Sequence, residues 1–263
     1  MSTRVTSAAL AALVLAGAPL LAQDFQWRGK VAAGKTVEVK GVNGAIDATA
    51  AGGDEVEVVA TKHSRRSDPS SVRVEVVPSD DGVTICAVYP DVDGRRNECR
   101  PGRGGHMSTR DNDVEVHFTV KVPAGVALAA HTVNGEVEAT GLEGDVDART
   151  VNGSIQVSTS GRAEAETVNG SIRASAGRSD WSGDAAFKTV NGSITLTLPA
   201  STAADVRAET VNGAIDTDFP LTVRGGLKLD GGRMRRLSGT INGGGRSLEM
   251  ETVNGSIHLR QAP

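Results

Sequence analysis

Thr150-Val151-Asn152-Gly153-Ser154-Ile155 is the stretch that decides the fold, because its first four residues recur along the chain at a nearly constant spacing. Six copies read Thr-Val-Asn-Gly, one upstream copy begins with Gly, and one late copy has Ile in place of Val. From Asn134 to Asn212 the copies advance by 18, 17, 22 and 21 residues. A period near twenty residues indicates a stacked array of repeating units. The asparagines of the eight copies are Asn43, Asn134, Asn152, Asn169, Asn191, Asn212, Asn242 and Asn254.

Apolar residues alternate with other residues on both sides of each tetrad. Val146 and Ala148 precede one copy with a single residue between them, and Ile155 and Val157 follow it in the same way. Alternation with a period of two predicts a strand that buries one face. Each repeat is therefore predicted as strand, Asn-Gly bend, strand. We expect this pair at the bend because Asn and Gly both tolerate positive φ angles.

An Asn-Gly pair between alternating apolar residues is also typical of an antiparallel hairpin. The constant parity of the flanking residues, and a spacing of about one β-helical coil, favour stacking instead. We predict an all-β fold, a parallel β-helix or β-solenoid-like repeat with coils of about 17–22 residues and an irregular N-terminal β region. Equivalent asparagines would then stack about 4.8 Å apart and hydrogen-bond as a ladder, which is a structural role.

The first 22 residues have the composition of a secretory signal peptide. Arg4 precedes an apolar run from Ala8 to Leu21, which is too short to be a membrane span. No later apolar stretch approaches the roughly 20 residues that a transmembrane helix needs. We therefore expect signal cleavage, no transmembrane segment afterwards, and export to the periplasm, the cell surface or the medium.

The sequence predicts two regions in the mature chain, and the boundary between them is not sharply marked. Residues 23–125 are predicted as the N-terminal β region, and residues 126–263 as the Thr-Val-Asn-Gly solenoid. The early copy at Asn43 also allows one continuous domain. The late copy at Asn242 is irregular and glycine-rich, and we expect it to close the stack as an atypical terminal repeat.

The charge of the mature chain excludes one broad class of partner. Removing Arg4 leaves 27 Lys and Arg against 32 Asp and Glu, a formal charge of −5. An acidic chain with few aromatic residues is a poor nucleic-acid binder. We expect an envelope glycan or protein partner, which the sequence does not identify.

Two cysteines, Cys86 and Cys99, lie in the exported part and are predicted to form a disulfide, because an even number of cysteines in an oxidising compartment favours pairing. The strand pattern stops between Tyr89 and Asn112, which predicts a long loop that the disulfide pins. Long loops are typically functional or disordered. The loop is a candidate site for an anionic ligand, or simply a solvated excursion, and its arginines are Arg95, Arg96, Arg100, Arg103 and Arg110.

The sequence predicts no catalytic residue, no metal site and no cofactor. The five histidines are scattered without metal-ligand spacing, and no Gly-x-Ser-x-Gly motif occurs. The serine that follows Asn-Gly in several repeats is better explained as part of the bend. Acidic residues fall at outward positions of the predicted strands, where solvation accounts for them.

The repeated Thr-Val-Asn-Gly-x-Ile, together with the stretches 82–90, 112–125 and 238–245, resembles the bacterial putative-adhesin family. The resemblance covers nearly the whole mature chain. It implies an exported, β-solenoid-like domain of unknown function in the cell envelope, and it carries no catalytic motif.

Three classes of function follow from these observations. The first is a non-enzymatic envelope or surface protein, an adhesin that presents a rigid solenoid surface for binding. The second is a periplasmic component of envelope-stress signalling or assembly. The third and weakest is a carbohydrate-active enzyme of the β-helix type.

Overall fold

The computed structural model describes residues 25–177, 183–223, 228–230 and 232–262. The expected signal peptide, residues 1–22, lies outside the described residues. Strands make up the regular structure of the described part, apart from one short 3-10 helix, Pro69–Ser71. The all-β prediction is confirmed.

The described strands form two long sheets, with labels that follow chain order. The first sheet runs, in spatial order, β1 (Phe25–Gly29), β4 (Val56–His63), β7 (Glu115–Val122), β3 (Ile46–Ala50), β9 (Val137–Leu142), β11 (Ile155–Thr159), β13 (Ile172–Ala176), β15 (Ile194–Leu198), β22 (Ile257–Gln261) and β17 (Ile215–Thr217). The second sheet runs β18 (Leu221–Val223), β20 (Arg233–Ile241), β16 (Ala204–Asn212), β21 (Arg246–Asn254), β14 (Ala185–Asn191), β12 (Ala163–Glu166), β10 (Val146–Arg149), β8 (Ala127–His131), β2 (Thr36–Lys40), β6 (Gly82–Val88) and β5 (Arg73–Ser79), and β19 (Lys228–Asp230) pairs with β20.

Each repeat is one coil, with one strand in each sheet. Strand β10 of the second sheet leads through the bend at Asn152 into β11 of the first sheet. Strand β10 pairs in parallel with β8 and β12, and β11 pairs in parallel with β9 and β13. These parallel pairings confirm the predicted solenoid and rule out the alternative of a series of antiparallel hairpins for these repeats.

The core lies between the two sheets. In β10 the side chains of Val146 and Ala148 are buried, while those of Asp147 and Arg149 point outward. Strand β11 buries Ile155 in the same way. Because successive coils repeat this pattern in register, the buried side chains form one continuous apolar core along the stack.

Hydrogen bonds between neighbouring coils hold each bend. The threonine hydroxyl donates to the glycine carbonyl of an adjacent coil, as from Thr150 Oγ1 to Gly135 O of the preceding coil at 2.9 Å. Six asparagines donate from Nδ2 to the Oδ1 of a neighbouring asparagine at 2.7–2.9 Å, and Asn43 at the end of the row only accepts. The asparagine ladder consists, in spatial order, of Asn43, Asn134, Asn152, Asn169, Asn191, Asn254 and Asn212.

Glycine at the bend has a different physical reason from the expected one. Among the ladder tetrads only Gly44 has a φ in the left-handed region, at 123°, and none of the ladder asparagines does. Instead, a Cβ on Gly170 would lie 1.9 Å from Gly153 O, and the other ladder glycines have equally close backbone neighbours. The expectation of positive φ was wrong, and glycine is required because adjacent coils approach too closely for any side chain.

The order of the coils in space differs from their order in the sequence. Strand β21 pairs with both β14 and β16, and β22 pairs with both β15 and β17. The last coil, with Asn254, is therefore inserted between the coils of Asn191 and Asn212. The irregular copy at Asn242, which was expected to cap the stack, lies at this end of the second sheet, where β20 is placed outside β16.

Asn242 does not join the ladder. It adopts a φ of 48° after β20, and its Nδ2 donates to Ala200 O and Thr202 O at 2.9 and 2.8 Å. Strand β20 pairs antiparallel with β16. The Asn242 turn therefore redirects the chain so that the last coil can enter the stack.

Both sheets run across the expected boundary at residues 125 and 126. Strand β2 pairs in parallel with β8, and β3 pairs in parallel with β9. Strands β6 and β7 form a further coil against β2 and β3, because both pairings are parallel. In that coil the chain between Val88 and Glu115 takes the place of the short Asn-Gly bend.

The stacking contact predicts that Gly170→Ala destabilises the fold while Gly52→Ala does not. The new Cβ at position 170 meets backbone at 1.9 Å, whereas a Cβ at position 52 meets nothing within 4 Å. Overpacking of this kind costs about 1–3 kcal/mol, and substitution at an open surface position changes stability by about 0.5 kcal/mol or less. Urea unfolding of both variants measures the difference, and equal midpoints would contradict the stacking account.

Candidate functional site: a cleft beneath the disulfide-pinned loop

The pinned loop, residues 89–112, is organised around one buried amide. Cys86 and Cys99 form a disulfide at the base of this loop. The Asn97 Nδ2 group donates to the carbonyls of Tyr89, Pro90 and Ser108 at 3.2, 2.9 and 2.7 Å. The amide of Ser108 donates back to Asn97 Oδ1 at 2.8 Å. The loop therefore has an internal structure of its own.

Tyr89 anchors the start of the pinned loop below the first bend of the ladder. Its hydroxyl donates to Val114 O at 2.7 Å and lies 3.4 Å from Asn43 O. Burial raises the pKa of the Tyr89 hydroxyl to about 12. Tyr89 is therefore neutral at physiological pH and serves as a hydrogen-bond donor.

The pinned loop folds over the outer face of the second sheet and covers Glu38. This carboxylate accepts from Thr84 Oγ1 at 2.8 Å and from Gly102 N at 2.9 Å. Lys40 Nζ lies 3.2 Å from Glu38 Oε1. The same ammonium group donates to Arg100 O at 2.7 Å and to Gly102 O. Glu38 points away from the core, yet it is only 6% exposed because the loop lies on it.

A cleft of about 650 Å³ lies between the pinned loop and this outer face. Its rim carries exposed residues from two segments, including Asp81 and Arg103. Its floor comes from the outward side chains of neighbouring strands. The lining residues that carry polar side chains are Thr36, Glu38, Ser79, Asp81, Thr84, Arg103, His131, Asp147 and Arg149.

His131 lies between two carboxylates on the cleft floor. Its Nδ1 is 3.8 Å from Glu38 Oε1, and its Nε2 is 3.8 Å from Asp147 Oδ2. Both separations are ion-pair distances and too long for direct hydrogen bonds. The Nε2 atom is buried and has no hydrogen-bond partner among the described residues.

Asp147 is held in its charged form. Arg149 donates to its two carboxylate oxygens at 2.9 and 3.1 Å. Burial raises the pKa of Asp147, but the interactions with His131 and Arg149 outweigh burial and lower the pKa to about 2. The floor therefore keeps a fixed negative charge at every physiological pH, with a cation beside it.

The structure does not gather the five candidate arginines into one anion site. Arg100 forms an ion pair with Glu98, with Nη2 2.5 Å from Oε2. Arg110 forms one with Asp93, with Nη1 2.6 Å from Oδ1. Arg95 and Arg96 are exposed and do not line the cleft. Arg103 lines the cleft and forms no ion pair within the described part of the chain.

The described residues contain no group of three or more His, Cys, Asp or Glu side chains arranged to hold a metal ion. The cleft instead offers fixed charges of both signs and several hydroxyl groups. Such a lining is suited to binding a polar ligand through charge-assisted hydrogen bonds.

Sequence reasoning missed the cleft floor, although the repeat contains the signal for it. The residue three before each ladder asparagine occupies the same row of the second sheet, which places Lys40, His131 and Arg149 side by side. The residue five before the ladder asparagine lies in a second row, to which the copies at Asn43 and Asn152 contribute Glu38 and Asp147. Aligning the copies on their asparagines would have brought these residues together.

The sequence profile of the Toastrack DUF4097 family matches residues 31–260. The chain belongs to this family. The match spans both sheets and the pinned loop, so the family includes the N-terminal coils as well as the regular repeats. A comparison with curated proteins gave no match.

Three solved structures are similar to this chain at low identity. A putative cell adhesion protein from Clostridium sporogenes is 10% identical with a TM-score of 0.46, over 90% of this chain and 99% of that chain. A putative adhesin from Bacteroides fragilis is 11% identical with a TM-score of 0.31, over 90% and 96%. A putative adhesin from Parabacteroides merdae is 9% identical with a TM-score of 0.23, over 91% and 96%. Likeness at this level supports no argument about function.

No helix in the described ranges is long and apolar enough to cross a membrane.

The interactions of Asp147 with His131 and Arg149 predict a pH-dependent loss of stability. The pKa of Asp147 is lowered to about 2 in the folded protein, so its stabilisation is present above about pH 4 and is lost as the pH falls through about 2. Asp147→Asn should cost about 1 kcal/mol at neutral pH after allowing for solvent screening. Thermal unfolding from neutral to acidic pH should show the two proteins converging, and a difference independent of pH would contradict the assignment.

Proposed function

We propose that the protein is a non-enzymatic, exported protein of the cell envelope or cell surface, and that it binds an envelope glycan or protein through the cleft beneath the pinned loop. The observation that carries the proposal is the cleft itself, where the loop meets the outer face of the regular coils. It unites the two surfaces that the sequence offers for recognition, the arginine-bearing loop and the outward polar rows.

The rigidity of the cleft supports a binding role. Its floor residues stand on strands that are paired on both sides, and its rim is fixed by the disulfide and by the Asn97 hydrogen bonds. A ligand therefore meets side chains that are already positioned. Little conformational entropy remains to be lost on binding.

The charges of the cleft favour a ligand with an anionic group. Glu38 and Asp147 are each engaged by a neighbouring cation, Lys40 and Arg149. Arg103 on the rim has no such partner within the described ranges, and its guanidinium is free to bind a carboxylate or phosphate. We therefore expect an anionic envelope polymer, with its hydroxyl groups facing Thr36, Ser79 and Thr84.

Arg103→Ser should weaken binding to a purified anionic cell-envelope polysaccharide by about tenfold or more, because a charge-assisted contact contributes more than about 1.4 kcal/mol. Arg96→Ser is the matched control, since Arg96 is an exposed arginine of the same loop that does not line the cleft. Co-sedimentation of the exported chain with the polymer measures both affinities. Equal weakening by the two variants would overturn the cleft as the binding site.

A docking role in envelope-stress signalling or assembly is the second candidate. A row of exposed valines at the bends favours it, because exposed apolar residues in a row are suited to contact with another protein. The row is Val151, Val168, Val190, Val253 and Val211. Under this alternative the wild-type chain does not sediment with envelope polymer, so the same assay separates the two functions.

A further inference from the structure

We propose that Asn212–Gly213 is a specific site of spontaneous deamidation, which the end of the asparagine ladder leaves open while the other ladder copies are protected. Asn-Gly is the dipeptide most open to this reaction, because glycine has no side chain to hinder approach of its nitrogen to the asparagine side chain. Asparagine is a thermolabile residue in general. The structure places seven such pairs in nearly identical surroundings.

Deamidation begins with a reaction between two atoms, the Gly213 amide nitrogen and Asn212 Cγ. The Gly213 amide nitrogen loses its proton to base and attacks Cγ of Asn212, forming a new nitrogen–carbon bond. The bond from Cγ to Nδ2 breaks and the amide leaves as ammonia, which gives a cyclic succinimide. Water then opens the ring at either carbonyl to give aspartate or isoaspartate, so the net change is addition of water and release of ammonia.

Six of the seven ladder glycines have their nitrogen engaged in a hydrogen bond between coils. Gly153 N, for example, donates to Asn169 O at 3.0 Å, and Gly192 N donates to Asn254 O at 3.0 Å. Such a nitrogen cannot attack unless the coil opens locally. The engaged glycines are Gly44, Gly135, Gly153, Gly170, Gly192 and Gly255.

Gly213 differs because, among the described strands, no further coil lies beyond its bend. Strand β17 is the last strand of the first sheet, and Gly213 N has no hydrogen bond among those of the described chain. Arg235 donates to Val211 O at 2.6 Å, where the inner bends have the amide of the next coil. The Gly213 nitrogen is therefore left without the hydrogen bond that the inner glycine nitrogens make to the next coil.

The side chain of Asn212 is also held less firmly than those of the inner asparagines. Its Nδ2 donates to Asn254 Oδ1 at 2.9 Å, but its Oδ1 accepts no bond in the described part of the structure. An inner residue such as Asn152 both donates to Asn134 and accepts from Asn169. Because the regular asparagines from Asn134 onward are all exposed, solvent access does not distinguish these sites. The hydrogen bonds of the asparagine side chain and of the following glycine nitrogen are what distinguish Asn212 from the inner sites.

The chemistry would alter the end of the stack. A carboxylate at position 212 cannot donate to Asn254 Oδ1, so the last rung of the ladder is lost. Isoaspartate also lengthens the main chain just before Ile215, which is buried at the end of the core. Deamidation at this position therefore loosens the terminal coil.

The test is peptide mapping by mass spectrometry after the folded exported chain is kept in mildly alkaline buffer. Asn212 should gain the mass of the amide-to-acid exchange about tenfold faster, or more, than Asn134, Asn152, Asn169, Asn191 and Asn254, since those require local opening. All six lie in the same Thr-Val-Asn-Gly tetrad, so the local sequence is matched. In denaturant their rates should converge.

Two variants make the outcome decisive. Asn212→Gln should remove the fast phase of deamidation from the ladder peptides on the peptide map, because a glutamine side chain cyclises much more slowly. Asn152→Gln, which substitutes an inner rung, should leave the fast phase unchanged. An inner asparagine that reacts as fast as Asn212 in the folded chain would overturn the proposal.

Discussion

The close approach of glycine backbones at the bends is the constraint on which the rest of the structure depends. Each ladder glycine lies so near a backbone carbonyl of the adjacent coil that a Cβ would overlap it. This contact sets the register in which the threonine and asparagine hydrogen bonds form. Register in turn decides which side chains of each strand enter the core, because a shift by one residue would expose the apolar face.

The same register also builds the candidate site. Outward side chains at equivalent positions of successive coils form rows, and Glu38, His131 and Asp147 come together only because three coils are aligned. The pinned loop replaces the bend of a neighbouring coil and can therefore fold back over that row. The chain thus combines a uniform scaffold with one irregular loop that shapes a cleft.

Much of the fold could be predicted from the sequence. The tetrad, its spacing and the alternating residues around Asn152 led to parallel coils, because these features report local geometry that repeats. The entry of the Asn254 coil between those of Asn191 and Asn212 could not be predicted, since every copy has nearly the same sequence and stacks equally well on any other. The cleft was missed for a related reason: Glu38 and Asp147 are distant in sequence, and solvation explains each of them alone.

The order of coils in the ladder is the central claim, and paired cysteines test it most directly. Adjacent coils place equivalent Cα atoms about 4.8 Å apart, which a disulfide can span, whereas two coils separate them by more than about 7 Å, which it cannot. We predict that Asn191→Cys combined with Asn254→Cys cross-links on mild oxidation, and that Asn191→Cys combined with Asn212→Cys does not. Cross-linking of the second pair in preference to the first would show that the coils stack in sequence order and would contradict this account.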